Sequence, residues 1–132
     1  MIHSIEIKVR GYHLDLFGHV NNARYLEFLE EARWDLLEKI PDFKLLVGER
    51  YAFTVVNINI NYRLPALMGH VLVIESELTQ IGRHSAVIHQ AITRKGTDDL
   101  VADADITFVV IDTQTRKAAL MEGAVLEILK KI

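Results

Sequence analysis

One helical segment dictates what the rest of this chain must do. Across residues 23–40 the apolar side chains Tyr25, Leu26, Phe28, Leu29, Ala32, Leu36, Leu37 and Ile40 recur at three- and four-residue intervals. Arg24, Glu27, Glu30, Glu31, Asp35 and Glu38 fill the remaining positions, which gives a helix with a broad apolar stripe that needs a cover. The cover is written in a different period. Ahead of the helix, Ile5, Ile7 and Val9 alternate with Glu6, Lys8 and Arg10, a strand expected to run into Gly11–His13. Pro41 ends the helix, and residues 43–49 read as a short helical or irregular connection closed around Gly48. Period two then takes over in four stretches, residues 53–62, 71–81, 84–94 and 100–111. In the first of these Val56, Ile58, Ile60 and Tyr62 share one face, and Val55, Asn57, Asn59 and Asn61 the other. Turns at Gly82 and at residues 95–99 make consecutive strands antiparallel neighbours, and residues 121–132 suit a closing helix. The expected fold is α+β: a five-stranded antiparallel sheet wrapped around a long central helix, in one domain spanning residues 1–132.

Composition narrows the function. Half of the 132 residues are apolar, enough for a real core, and the formal charge of -3 comes with fifteen scattered basic residues. That is not the basic stripe of a nucleic-acid binder, so no nucleic-acid partner is expected. The chain has no cysteine, which excludes disulfides, thiolate nucleophiles and thiolate-held metal. The start, MIHSIEIKVR, alternates charged and apolar residues and lacks the apolar block of a signal peptide. No apolar run approaches the ~20 residues of a membrane span, so a cytoplasmic protein that does not engage membranes is expected.

The chemistry gathers in residues 12–34, YHLDLFGHVNNARYLEFLEEARW. G-x-S-x-G, P-loop and G-x-G-x-x-G signatures are absent. Asp15, flanked by Leu14, Leu16 and Phe17, can deprotonate a water, attack an acyl carbon, or simply form the turn at Gly18. Asn21 and Asn22 offer caps for the helix starting near Ala23. The first amides of that helix have no intrahelical acceptors, so a carbonyl placed there is polarised. His13, Asp15 and His19 could be drawn as a metal site, but no further ligand cluster with suitable spacing accompanies them; no metal or organic cofactor is expected, and His19 is better read as a local hydrogen-bonder or a substrate contact. Tyr25 lies on the core stripe with its hydroxyl able to reach the site. Arg63 is either a phosphate grip or a solvated strand end. Glu30 with Arg33 reads as an ordinary helix-surface pair, and Asn57, Asn59 and Asn61 as an interface or solvent face.

The run Asp15, Gly18, His19, Val20, Asn21, Asn22 and Tyr25, followed by Glu30 or Glu31, Ala32 and Arg33, resembles the signature of hotdog-fold acyl-CoA thioesterases of the 4-hydroxybenzoyl-CoA thioesterase group. The longer strings KVRGYHLD, HVNNARYLEFLEEARW, VVNININYRLPA and VADADITFVVID are most similar to the bacterial long-chain acyl-CoA members. The resemblance implies a hotdog fold, hydrolysis of fatty acyl-CoA to fatty acid and CoA, no cofactor, and homodimers or homotetramers joined edge to edge with sites at the subunit boundary. It implies that Asp15 is the catalytic carboxylate, that the amide of Asn22 polarises the thioester carbonyl, and that Gly18, Val20 and Tyr25 line the site; His19, Asn21 and Arg63 are further candidate substrate contacts. Asn21 and Asn22 depart from the aromatic residues or His that tend to follow Val20 in the aroyl-specific members. Short-chain, aroyl or carrier-protein-bound acyl groups are the alternative substrates, and a non-catalytic acyl-CoA binder is the alternative role.

Overall fold

The computed structural model describes residues 1–41, 43, 48 and 50–132. In chain order the elements are β1 (His3–Lys8), a 3-10 turn (Gly11–His13), α1 (Asn22–Glu38), β2 (Tyr51–Tyr62), β3 (Val71–Ile81), β4 (Ala86–Arg94), β5 (Leu100–Asp112), β6 (Lys117–Ala118) and α2 (Gly123–Leu129). The first strand therefore stops short of the segment it was expected to enter: Gly11–His13 turns instead, with the His13 amide bonded to the Arg10 carbonyl. Apart from Phe43 and Gly48, the connection expected over residues 43–49 lies outside the described residues.

Every ladder is antiparallel, in the order β1-β3-β4-β5-β2. The sheet has six strands rather than five, because β6 pairs with Ile111 and Asp112 after the pairing of β4 with β5 has ended at Phe108. Consecutive strands are neighbours from β3 to β5, but β2 and β3 are not. The chain leaves β2 at one edge and crosses two strands, about 14 Å, through residues 63–70 to enter β3 beside β1. That crossing segment is anchored as it goes: the amides of Arg63 and Leu64 bond to the Val101 carbonyl, and the Gly69 amide bonds to the Val9 carbonyl.

The stripe of α1 buries Tyr25, Phe28, Leu29 and Ala32 against Leu72, Ile74, Ile88, Ile92, Ala104 and Ile106 of the sheet, one core shared between helix and sheet, while Leu36 packs in a smaller cluster with Ile40, Phe43 and Ile128. The helix packs chiefly on β1 and β3, so it does not cover the whole sheet. A buried polar tie fixes it there. Gln90 of β4 donates through Nε2 to the Leu29 carbonyl (3.0 Å) and to Ser76 Oγ (2.9 Å), and its Oε1 accepts from Arg33 Nη1 (3.0 Å). Arg33 is thus drawn inward to Gln90 and is no simple surface partner of Glu30; burial lowers its pKa, with Glu30 opposing.

Strand β2 departs from simple alternation. A bulge between Val55 and Asn57 shifts the register, so Phe53, Val55, Ile58, Ile60 and Tyr62 all stand opposite buried residues of β5. Val55 joins the apolar face and Val56 leaves it, the reverse of the expectation from strict period two.

Candidate active site

The site is built where the N-terminus of α1 meets the loop before it and the crossing segment. Gly18 adopts a positive φ of 76°, a conformation glycine takes without strain. It turns the chain so that the Asp15 amide bonds back to the His19 carbonyl (2.8 Å) and the Gly18 amide to the Asp15 carbonyl (3.1 Å). The Asp15 side chain completes the turn: Oδ1 accepts from the amides of Phe17 (2.8 Å) and His19 (3.3 Å). Oδ2 accepts nothing among the described residues.

Asn21 caps α1, its Oδ1 accepting from the Ala23 amide at 3.0 Å, while its own amide bonds to the His13 carbonyl. The Asn22 amide, the next donor along, finds no acceptor among the described residues. It stands in the first turn, where the helix dipole favours negative charge. On the far side, Tyr62 of β2 donates its hydroxyl to the Asn22 carbonyl (3.0 Å), which pins the strand end to the helix start. Tyr25 is buried, its hydroxyl accepting from the Ala66 amide (3.2 Å), and the Val20 amide bonds to the Ala66 carbonyl. Burial pushes the Tyr25 phenol above its ordinary value; Tyr62 and Asp15 act in the same direction and the Ala66 hydrogen bond opposes.

These groups surround a cavity of about 460 Å³ lined by Asp15, His19, Val20, Asn21, Asn22, Tyr25, Tyr62, Arg63, Leu64 and Pro65. It brings together every candidate catalytic and substrate-contacting residue of the sequence but one. Gly18 is the exception, since it shapes the turn without lining the cavity. Arg63 lines it with its fork already engaged, Nε and Nη2 pairing with the Asp103 carboxylate at 3.1 and 3.2 Å. Tyr62, Leu64 and Pro65 belong to the lining but were not assigned to it from sequence: Tyr62 is the last residue of β2, and Leu64 and Pro65 enter through the crossing of residues 63–70. His13 lies elsewhere. Its ring is buried edge-on against Phe28, with Nδ1 accepting from the Arg10 amide, so it does not join Asp15 and His19. Among the described residues no group of three or more His, Asp or Glu is placed to hold a metal ion.

A family model described as the thioesterase-like superfamily matches residues 9–129. The chain belongs to that superfamily. It is 54% identical over 127 residues, 96% of each sequence, to the long-chain acyl-CoA thioesterase FadM of Escherichia coli K12. It is 32% identical over 107 residues, 79% of each, to the acyl-CoA thioester hydrolase YbgC of E. coli. Among solved structures, the probable thioesterase YbaW of E. coli superposes with a TM-score of 0.93 at 53% identity, covering 98% of this chain and 97% of that one. A 4-hydroxybenzoyl-CoA thioesterase superposes at 0.83 with 22% identity, covering 96% of this chain and 97% of the other, and attests to the fold alone. The protein is a thioester hydrolase with the hotdog fold. No helix of the described chain is long and apolar enough to cross a membrane.

Proposed function

We propose that the protein hydrolyses long-chain fatty acyl-CoA thioesters to free fatty acid and CoA, with Asp15 as its catalytic carboxylate and the Asn22 amide as its oxyanion donor. One observation carries the reading: an uncommitted carboxylate oxygen and an uncommitted helix-start amide border the same cavity. Similarity to FadM over nearly the full chain supports the substrate class.

The chemistry follows from those two groups. With the thioester carbonyl oxygen at the Asn22 amide, attack on the acyl carbon builds negative charge where a donor and a helix dipole already point. In the general-base route Asp15 takes a proton from water as the oxygen of that water bonds to carbon; collapse breaks the carbon–sulfur bond, and the CoA thiolate recovers the proton. In the nucleophilic route Asp15 bonds the acyl carbon, CoA leaves as thiolate, and water cleaves the resulting anhydride. A single turnover in ¹⁸O water separates them, because only the nucleophilic route can deliver an unlabelled Asp15 oxygen to the product acid.

Asp15→Asn tests the assignment. The amide oxygen preserves the hydrogen bonds from Phe17 and His19, so folding should hold while kcat falls about 10²- to 10⁴-fold. Full activity in the variant, measured by thiol release from palmitoyl-CoA, sinks the assignment.

The second half of the proposal is assembly. Strand β2 ends the sheet, is twelve residues long, and leaves Val55, Val56, Ile58 and Tyr62 exposed. An apolar edge of that length is a template for another strand. Pairing with β2 of a second copy would close the sheet into a homodimer and build a wall beside Tyr62 and Asn22; further pairing of dimers would give a tetramer.

A further inference from the structure

Tyr25 carries a hydroxyl whose bonding is only half complete. Its ring is packed between Phe28 (centroids 6.1 Å apart, planes at 84°) and Tyr62 (5.6 Å, 57°), and the residue is only 4% exposed. The phenol oxygen accepts from the Ala66 amide at 3.2 Å. The phenol proton has no acceptor among the described residues. A buried donor ordinarily finds an acceptor, so an unspent proton at the wall of a cavity points to an acceptor that arrives with a ligand.

The surroundings fix where that proton lies. Tyr25 and Asn22 stand three residues apart on one face of α1, and a long side chain on a helix leans toward the N-terminus. The hydroxyl is therefore carried back toward the first turn. Its partner confirms the direction: the Ala66 carbonyl accepts from the Val20 amide, two residues before Asn22. With one side of the oxygen occupied by the Ala66 amide, the hydroxyl, which can rotate to suit its partners, turns to the other. Tyr25, Asn22 and Asp15 line the same cavity.

Other donors on that wall are spent or wet. Tyr62 gives its hydroxyl proton to the Asn22 carbonyl, and Arg63 turns its fork to Asp103. His19, Asn21 and Asn22 are exposed, so water serves their side chains. Burial lifts the Tyr25 pKa above its ordinary value, opposed by the Ala66 bond and aided by Tyr62 and Asp15. The group is therefore a neutral phenol at neutral pH, a donor and not a base.

We propose that the Tyr25 hydroxyl is a second oxyanion donor, with the thioester carbonyl oxygen held between it and the Asn22 amide. This rests on the thioesterase reading above and adds to it the side chain that completes the oxyanion site. As attack on the acyl carbon pushes an electron pair onto the carbonyl oxygen, both hydrogen bonds tighten. The phenol keeps its proton throughout, and the pair returns to carbon as the carbon–sulfur bond breaks. Because the Ala66 bond orients the hydroxyl beforehand, the donor is in place before charge develops.

The test follows the carbonyl itself. A dethia ketone analogue of palmitoyl-CoA, in which a methylene replaces the thioester sulfur, keeps the carbonyl and cannot release CoA. With a ¹³C label at that carbonyl, its infrared stretch should be lower on wild type than in water. Tyr25→Phe should raise it toward the value in water, and Tyr25→fluorotyrosine, whose phenol is more acidic and a stronger donor, should lower it further. In turnover of palmitoyl-CoA, Tyr25→Phe should lower kcat about 10²- to 10³-fold, the cost of one lost oxyanion donor, with KM nearly unchanged. Tyr25→Phe also strands the Ala66 amide, so a lower Tm is expected; a residue that only pinned the crossing segment would lower Tm and leave the stretch where it was. If Tyr25→Phe does not fold, the fluorotyrosine variant decides alone. A stretch on wild type no lower than in water, one that does not respond to the variants, or a folded Tyr25→Phe with wild-type kcat overturns the proposal. If wild type releases CoA from no acyl-CoA, the thioesterase reading fails instead, and the stretch of the bound ketone still judges Tyr25.

Discussion

Replacing Gln90 by Leu tests how the central helix is held, and its magnitude can be worked out from the structure. Gln90 and Ser76 are both fully buried. The substitution keeps an apolar body of similar size but removes three hydrogen bonds, to the Leu29 carbonyl, to Ser76 Oγ and from Arg33. Among the described residues no buried side-chain polar atom lacks a partner, so the variant would break a fully satisfied set. The Leu29 carbonyl loses one of its lone-pair partners, a loss of about 1 kcal/mol. Ser76 Oγ is orphaned in the core, costing about 1–3 kcal/mol, and Arg33 loses a charge-assisted bond of similar size. The total of about 3–7 kcal/mol is a large part of the 5–15 kcal/mol typical of a domain, and should lower Tm by about 10–30 °C. Guanidinium unfolding reads it directly, with the midpoint falling at constant slope. The double variant Gln90→Leu with Ser76→Ala should recover about 1 kcal/mol, because the orphan is gone. A cost below about 1 kcal/mol for Gln90→Leu, or strict additivity of the pair, would refute the reasoning.

Two further outcomes are expected. Burial, aided by Arg24 and Arg10 and opposed by Glu27, lowers the His13 pKa below 6.5, so the unfolded chain takes up a proton that the folded one resists; stability is full above pH 6.5 and falls as the pH drops below it. Asp35, held down by Lys39 and His3, and Asp112, held down by the Gln114 and Thr115 amides and Arg50, add a second loss as the pH falls below 3.8; His13→Gln should flatten only the upper slope of midpoint against pH, and an unaltered slope would discount His13. Val56→Lys places a charge on the outward, exposed face of the β2 edge and should shift light-scattering mass from dimer to monomer with a loss of activity; a wild type that is already monomeric and fully active refutes the shared site.

How much of this was legible in the sequence depended on whether the signal was local. The helix, its Asn21 cap and four strand cores carry their own periodicity, and the observed bounds differ from the expected ones by only a few residues. The bulge in β2 is not local in that sense. Val55, Val56 and Asn57 alternate acceptably on paper, and only pairing with β5 shows that one residue is skipped. The same holds for Leu64 and Pro65, which reach the site because residues 63–70 must span the sheet, and for Tyr62, whose hydroxyl meets the Asn22 carbonyl only when strand and helix come together. Arg33 misled for a related reason: beside Glu30 it has the spacing of a surface pair, while its acceptor, Gln90, is 57 positions away.

At Asp15 the turn role and the proposed catalytic role are not competing readings. A free carboxylate on a loop would rotate, and each rotamer sampled would dilute the one that faces substrate. Here Oδ1 is fixed by two amides of the very turn that Gly18 permits, and fixing one oxygen of a rigid group fixes the other. The turn preference of aspartate is therefore the means by which Oδ2 stays available. The helix start works in the same way: Asn21 satisfies the Ala23 amide and leaves the Asn22 amide as the uncommitted donor, held in place by the Tyr62 bond to its carbonyl. In the proposed mechanism both groups are positioned by hydrogen bonds made through their neighbouring atoms, so neither would have to be reorganised when charge develops on the thioester.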